Sequence, residues 1–318
     1  MENKNRMLLV LKYLWEKTDE NHTAGIQELT QYLMENGITV TRKTLAADIK
    51  ELSDFGFDII CNRGERNQYF YGNRGLELAE VKLLVDALEA SHFLSRSKTN
   101  QIEAKLQMLV SENDARELRH DLYPRMRKSK NERVLFTVDR LFIAIRGKHR
   151  VKFRLRRYTL DKQAGLANNG EYYEFSPYEM IYNGDNYYVV GYSEKHQSIG
   201  QFRVDRIQDL HEIDVPARKR PKASEMESHI NGLFQMFNGQ PCTVTLNCEA
   251  SMMDYVIDRF GEEVETYPIG NDRFGAKVDV ELSPLFYSWV IGFAGKIQIA
   301  GPEEAVDGLK ELLKAFES

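Results

Sequence analysis

A tyrosine-rich hairpin near the middle of the chain is the sequence feature that most restricts its fold. Two strand-like runs, residues 177–182 and 187–192, flank Asn183-Gly184, a dipeptide that favours a two-residue type I′ turn. A further run, residues 199–204, overlaps the sequence QFRVDRI at residues 201–207. Because tight turns join antiparallel neighbours, we expect these runs to form one small sheet. Tyrosine rings and two arginines, Arg203 and Arg206, would then lie together at the end of that sheet.

The same hairpin resembles the WYL domain of bacterial transcription regulators. Tyr187-Tyr188-Val189 stands where that family has its signature Trp-Tyr-Leu, and residues 202–207 match its Phe-Arg-x-Asp-Arg-Ile motif. The second motif is more specific, because six residues at fixed spacing rarely recur by chance. Tyr187 in place of Trp removes an indole but keeps an aromatic ring for stacking. The resemblance implies an Sm-like fold and an effector-sensing role.

Five short strands are predicted for this part of the chain. In residues 151–158, Lys152, Arg154 and Arg156 alternate with apolar residues, so one strand face is basic and the other apolar. The other four strands are predicted at 172–176, 177–182, 187–192 and 199–204. Five strands of this length suit a small, strongly bent Sm-like β-barrel.

The chemistry of these residues is that of a nucleotide or nucleic-acid site. Arginine contacts phosphate through two parallel hydrogen bonds, and stacking of a base on tyrosine contributes ~1–3 kcal/mol. Two purely structural alternatives stay open: Tyr188 as a half-buried barrel aromatic, and Arg206 as the partner of Asp205 or Asp209 in a salt bridge. The candidate effector-binding residues are Tyr188, Arg203, Arg206, Tyr178, Arg154 and Arg156.

Residues 1–72 have the pattern of three helices followed by a hairpin. The third helix begins at Thr41 as N-cap and buries Leu45, Ile49 and Leu52. Two strands then surround a turn at residues 63–66. This order predicts a winged helix-turn-helix, whose third helix enters the major groove of DNA; a solvated helical bundle is the structural alternative. The sequence VTRKTLAADIKELSDFGFDI is also similar to the recognition helix of the same regulators, with Ala47 where they often have Arg. The candidate DNA-binding residues are Thr41, Arg42, Lys43, Thr44, Ala46, Ala47, Lys50, Arg63 and Arg66.

The remaining segments are predicted to connect and dimerise the chain. Residues 73–135 have helical periodicity and form either a helical dimer seam or a spacer within one chain. Residues 136–217 are the WYL-like sensing domain. Residues 218–318 have the order β-α-β-β-α-β-α and resemble the WCX C-terminal extension of WYL proteins, which implies a ferredoxin-like α/β domain. The whole chain is therefore expected to be α+β and multidomain.

Charge is distributed unevenly along the chain. The formal net charge is −5, yet residues 133–220 carry 16 Lys and Arg against 11 Asp and Glu. Residues 221–318 carry 7 against 16, which argues against a second nucleic-acid surface there. Three cysteines and no apolar leader predict a reduced, cytoplasmic protein with no membrane contact. No metal-ligand spacing, cofactor loop or catalytic motif is visible, so we expect neither a cofactor nor an enzyme.

These observations predict a homodimeric, sequence-specific, DNA-binding transcription regulator. A two-fold protein reads a palindromic operator, and a nucleic-acid or nucleotide effector at the WYL-like domain switches the binding. The family resemblance also suggests control of a phage-defence or stress locus; whether the protein is a repressor or an activator stays open. Two alternatives remain: a regulator that senses a small metabolite anion, and a single-stranded nucleic-acid-binding protein whose barrel is the main binding module.

Overall fold

Three short helices and a three-stranded sheet form the first part of the chain. The computed structural model describes residues 2–118, 127–161, 163–222, 226 and 240–316. Val10, Leu14, Leu29, Leu33 and Leu45 meet in one core that water does not reach, because each recurs at helical spacing. The antiparallel sheet has the order β1-β3-β2. These elements are α1 (Glu2–Lys17), β1 (Ala24–Gly25), α2 (Ile26–Glu35), α3 (Arg42–Phe55), β2 (Ile59–Asn62) and β3 (Gln68–Tyr71).

Three further helices follow: α4 (Leu78–Ala90), α5 (Arg96–Gln107) and α6 (Glu112–Glu117). Ser111 lies in the break between α5 and α6 and caps α6 by accepting a hydrogen bond from the Asp114 N–H at 3.0 Å. Residues 119–126, which the predicted connector includes, lie outside the described residues. Val81 and Val85 of α4 are buried, whereas Leu83 and Leu84 face solvent. The apolar residues of α4 are therefore only partly buried within their own chain.

A curled antiparallel sheet forms the middle of the chain, after helix α7 (Val134–Gly147). Its strands pair in the order β5-β4-β6-β7-β8, and β9 also pairs with β4, outside that order. Phe153, Phe175 and Phe202 pack edge to face inside the curl. The strands are β4 (His149–Tyr158), β5 (Ala164–Leu166), β6 (Tyr173–Asn183), β7 (Asn186–Ser193), β8 (Ser198–Arg203) and β9 (Ile207–Pro216).

The predicted count of five strands is wrong in two respects. The runs 172–176 and 177–182 are one strand, β6, because the register shift between Pro177 and Glu179 is a bulge within the ladder and not a strand end. Strands β5 and β9 were not predicted, so the described part of this sheet has six strands.

The turn of the central hairpin lies one residue later than predicted. Asn183 pairs with Asn186, and the turn residues Gly184 and Asp185 both have positive φ, as a type I′ turn requires.

The last part of the chain is a four-stranded antiparallel sheet with three helices. Its strand order is β11-β12-β10-β13. Val244, Leu246, Val278 and Phe286 are among the buried residues of its core. The element order agrees with the predicted β-α-β-β-α-β-α. The elements are β10 (Gln240–Glu249), α8 (Met253–Phe260), β11 (Glu265–Ile269), β12 (Arg273–Leu282), α9 (Pro284–Ile291), β13 (Ile297–Gly301) and α10 (Glu303–Lys314).

The chain divides into two structural units, Met1–Val134 and Leu135–Ser318. The protein is thus α+β, with helices in the N-terminal unit and a curled antiparallel sheet in the second. Over the described ranges, no helix is both long and apolar enough to cross a membrane.

Candidate nucleic-acid and effector surfaces

One face of helix α3 is basic and open to solvent. The opposite face is buried, with Leu45, Ile49 and Leu52 at most 5% exposed. Thr41 is the N-cap: its Oγ1 accepts a hydrogen bond from the Thr44 N–H at 3.2 Å, so this hydroxyl organises the helix start. The exposed residues of α3 include Arg42, Lys43, Ala46, Ala47 and Lys50, and Thr44 is half-buried.

A buried ion pair that the sequence does not predict holds α3 against α1. Asp48 is 4% exposed, and its carboxylate accepts two hydrogen bonds from the Arg6 guanidinium, at 2.5 and 2.9 Å. The hydrogen bond and the charge of Asp48 raise the pKa of Arg6, although burial opposes them. Asp48 points to the opposite side of α3 from Ala46 and Lys50, so the pair fixes which face is exposed.

The turn between β2 and β3 extends the basic surface. Arg63 and Arg66 are both exposed in the loop that joins Asn62 to Gln68. A loop of this kind is the part of a winged helix that touches the flanking DNA backbone.

In the curled sheet, Tyr188 and Arg203 are neighbours across β7 and β8. The Arg203 guanidinium donates to both carboxylate oxygens of Asp205, at 3.0 and 2.9 Å, and to Asn186 Oδ1 at 2.6 Å. Burial alone would lower the pKa of Arg203, but the hydrogen bonds and charge of Asp205 raise it. The guanidinium is therefore held by its own chain.

Arg206, unlike Arg203, is not held by other residues of the described chain. It is exposed at the turn between β8 and β9, and within the described part of the chain it makes neither an ion pair nor a hydrogen bond. The two aspartates considered as its partners bind elsewhere: Asp205 pairs with Arg203, and Asp209 with Arg154 at 3.5 Å. Arg206 is thus the more available of the two motif arginines.

Among the tyrosines of the sheet, Tyr178 is buried and held by its neighbours. Tyr178 is 6% exposed, and burial raises its pKa. Its hydroxyl donates to the Lys219 carbonyl at 3.3 Å, and its ring belongs to a cluster with Val190, Met226 and the half-buried Tyr188. A base could not stack on Tyr178 without moving these neighbours.

The cations of β4 form a separate group with exposed aromatic rings. The Arg154 guanidinium carbon lies 4.6 Å and the Lys152 ammonium 5.4 Å from the ring centroid of Tyr172. Arg156 lies 5.3 Å from the ring of Tyr158, which is 60% exposed. Among the described residues, no hydrogen bond, ion pair or ring contact joins this group to the Tyr188–Arg203 pair. The six candidate effector residues are therefore not brought into direct contact as one set.

Across the described ranges, no three His, Cys, Asp or Glu side chains converge as metal ligands would. Cys248 lies in the core of the last sheet, where burial raises the pKa of its thiol to about 11. A thiol with that pKa stays protonated at neutral pH.

Two family matches identify the second half of the chain. Residues 136–212 match the WYL domain, and residues 240–316 match the WCX domain. The chain therefore carries a WYL domain followed by a WCX domain. None of the curated proteins compared with the chain is significantly similar to it.

Three solved structures align with 99% of this chain but at low similarity. Proteasome accessory factor B/C (PafBC) of Arthrobacter aurescens is 16% identical, with a TM-score of 0.29; the chain spans 49% of the length of that protein. A CRISPR Cas-related protein is 11% identical, with a TM-score of 0.39 over 84% of its chain. A hypothetical protein is also 11% identical, with a TM-score of 0.17 over 75% of its chain. At such TM-scores these likenesses support no argument about this chain.

Proposed function

We propose that this protein is a DNA-binding transcription regulator whose WYL domain senses a nucleic-acid or nucleotide effector. The observation that carries the proposal is the basic, solvent-exposed start of α3, opposite a buried apolar stripe, in a chain that also carries a WYL domain. Arg42 and Lys43 lie in the first turn, where recognition helices reach base edges. Ala46 and Ala47 leave room for close approach to thymine methyl groups.

The proposal also assigns a role to each segment of the chain. Residues 1–72 act as a winged helix-turn-helix, 73–135 as a helical linker, 136–217 as an Sm-like sensing barrel and 218–318 as a ferredoxin-like dimerisation domain. The element orders of the chain support these assignments. The resemblance to WYL regulators supports a role at a phage-defence or stress locus.

A homodimer is part of the proposal, because a palindromic operator requires a two-fold protein. Leu83 is 69% exposed and Leu84 42% exposed on α4, whose other side is packed against its own chain. Exposed leucines side by side on a helix are the residues that a helical dimer seam would cover.

The first experiment is fluorescence anisotropy on duplex DNA from the region upstream of the gene, with and without a short single-stranded oligonucleotide. We expect specific duplex binding that the oligonucleotide alters. The double variant Arg42→Ala/Lys43→Ala should abolish it. The matched control Lys314→Ala, an exposed lysine of α10, should change nothing. Duplex affinity that survives the double change with an unaltered salt dependence would contradict the assignment of α3.

A single-stranded nucleic-acid-binding protein is the second candidate function. The observation that favours it is the row of cations and exposed rings on β4, since alternating cations and aromatics are what single strands bind. Tight oligonucleotide binding without specific duplex binding, lost on Arg154→Ala/Tyr172→Ala, would support this function over the first.

A further inference from the structure

After β9, the described residues 217–222 and Met226 lie against one face of β6 and β7. These residues are here called the strap. Its start is held by hydrogen bonds from two backbone N–H groups: the Ala217 N–H donates to the Lys148 carbonyl at 2.8 Å, and the Arg218 N–H donates to Ser176 Oγ at 3.0 Å. Ser176 is fully buried, so the strap covers this part of the face.

Met226 fills the centre of the covered face. It is 1% exposed and packs with Tyr178 and Val190, beside the half-buried rings of Tyr188 and Tyr192. Its N–H donates to the Lys222 carbonyl at 3.1 Å, which ties it to the rest of the strap. The tyrosines of the WYL domain are therefore covered by a side chain of the protein itself.

Two carboxylates of the sheet hold the strap in place through its arginines. Glu194 accepts two hydrogen bonds from the Arg218 guanidinium, at 2.7 and 2.6 Å, and Glu179 pairs with Arg220. The Arg218 guanidinium carbon also lies 4.3 Å from the ring centroid of Tyr192. Both arginine side chains remain about half exposed. A ligand in solution can therefore reach them without unfolding the sheet.

The strap concentrates positive charge that the sheet only partly neutralises. Arg218, Lys219, Arg220 and Lys222 are four exposed cations within five residues. Lys219 and Lys222 make no ion pair with any other described residue. The carboxylates that the strap arginines contact belong to the sheet, and Glu194 also pairs with Arg150 of β4 at 3.3 Å. The strap adds four exposed cations to this region as candidate partners for phosphate.

We propose that the strap is itself a phosphate-binding site for single-stranded nucleic acid, and that binding releases it from the sheet. The phosphates take the place of Glu194 and Glu179 as partners of Arg218 and Arg220. Loss of both ion pairs lets Met226 leave the tyrosines, whose exposed rings then stack on bases. The inference rests on the proposed function, because it names the effector class and the way in which its binding changes the protein.

The test changes the carboxylates of the two ion pairs in one double variant and their arginines in another. Glu179→Gln/Glu194→Gln removes the competing carboxylates but keeps the cations, and should bind a labelled twelve-nucleotide oligo-dT about fivefold more tightly. Arg218→Gln/Arg220→Gln should bind it at least tenfold more weakly and lower the salt slope by about 1.4, since each lost phosphate contact contributes about 0.7. A purely structural strap would be loosened equally by both changes. Shifts in the same direction, or no shift, would overturn the proposal.

A second measurement follows release of the strap directly. In a Cys61→Ser/Cys242→Ser background, the thiol introduced by Met226→Cys is expected to be protected from a labelling reagent. Oligo-dT should accelerate its labelling at least tenfold, whereas ATP at equal phosphate concentration should not. Unchanged labelling with saturating oligo-dT, or equal acceleration by ATP, would overturn the proposal.

The two proposals fail in different ways. Specific operator binding without any oligo-dT binding would remove the strap site and leave the regulator. Oligo-dT binding that responds to the variants as expected, without duplex binding, would support the strap and remove the regulator.

Discussion

Arg6 of α1 donates two hydrogen bonds to the buried carboxylate of Asp48 on α3, at 2.5 and 2.9 Å. The side chains are only 13% and 6% exposed. An arginine that loses such a partner is left charged and poorly solvated, which typically costs 3–5 kcal/mol. The pair therefore couples the stability of the N-terminal unit to the orientation of the proposed recognition helix.

Asp48→Ala should lower the free energy of unfolding of this unit by about 3 kcal/mol. The measurement is urea denaturation followed by Trp15 fluorescence in a Trp289→Phe background, because the chain has two tryptophans. Adding Arg6→Ala to Asp48→Ala should recover part of the loss, since the unpaired charge is then gone. A loss below about 1 kcal/mol for Asp48→Ala would show that the pair behaves as an exposed one.

Gly191→Ala should destabilise the curled sheet by about 1–3 kcal/mol. A Cβ at Gly191 would lie 2.2 Å from the Ser176 carbonyl oxygen and 2.7 Å from the ring of Phe175, and backbone cannot move aside as a side chain can. Gly200, its partner across β7 and β8, is the matched control because a Cβ there meets nothing within 4 Å. Differential scanning calorimetry should show a lower Tm for Gly191→Ala alone; equal effects would contradict the close approach.

Leu83→Glu should dissociate the proposed homodimer without unfolding the protein. Leu83 is 69% exposed, so its change removes little packing within one chain, whereas Val85 two residues later is 1% exposed. Val85→Ala, the contrasting variant, should instead lower stability by about 2 kcal/mol and leave the dimer unaltered. Sedimentation velocity measures the first effect and urea denaturation the second. A Leu83→Glu protein that remains dimeric would place the seam elsewhere.

Structural features that depend on local periodicity can be predicted from the sequence, whereas features that depend on contacts between distant residues cannot. Leu45, Ile49 and Leu52 recur at helical spacing, so both the existence of α3 and its buried face follow from neighbouring residues. Pro177 looks like a strand end in the sequence, because the cross-strand bulge that absorbs it is not visible there. Met226 and Arg218 look like parts of a polar linker. Their positions against Tyr178 and Glu194 depend on residues more than twenty positions away.

Protonation of Asp19 should loosen the contact between the first helix and α6. Burial alone would raise the pKa of Asp19, but hydrogen bonds from Ser111, His22 and the N–H groups of Asn21 and His22 together lower it. A carboxylate whose pKa is lower in the folded state stabilises the protein above its unfolded pKa of 3.8. That stability is lost as the pH falls through the folded value.

Denaturation of the wild type and of Asp19→Asn at several pH values is the corresponding measurement. The difference in unfolding free energy between them should be largest at neutral pH and shrink below about pH 4. A difference independent of pH would mean that the hydrogen bonds to Asp19 do not depend on its charge.

Arg203→Ala and Arg206→Ala should have opposite consequences, although the residues are three positions apart in one motif. Arg203 binds Asp205 and Asn186, so its loss removes three hydrogen bonds and should lower stability by about 1–2 kcal/mol. Arg206 is exposed and unpaired within the described residues, so its loss should cost less than about 0.5 kcal/mol of stability.

If Arg206 contacts a phosphate of the effector, Arg206→Ala should weaken oligo-dT binding and lower its salt slope by about 0.7. Calorimetric Tm and oligo-dT anisotropy on both variants separate these effects. Equal Tm values would show that the Arg203–Asp205 pair does not stabilise the sheet, and unaltered oligo-dT binding by Arg206→Ala would remove Arg206 from the effector site.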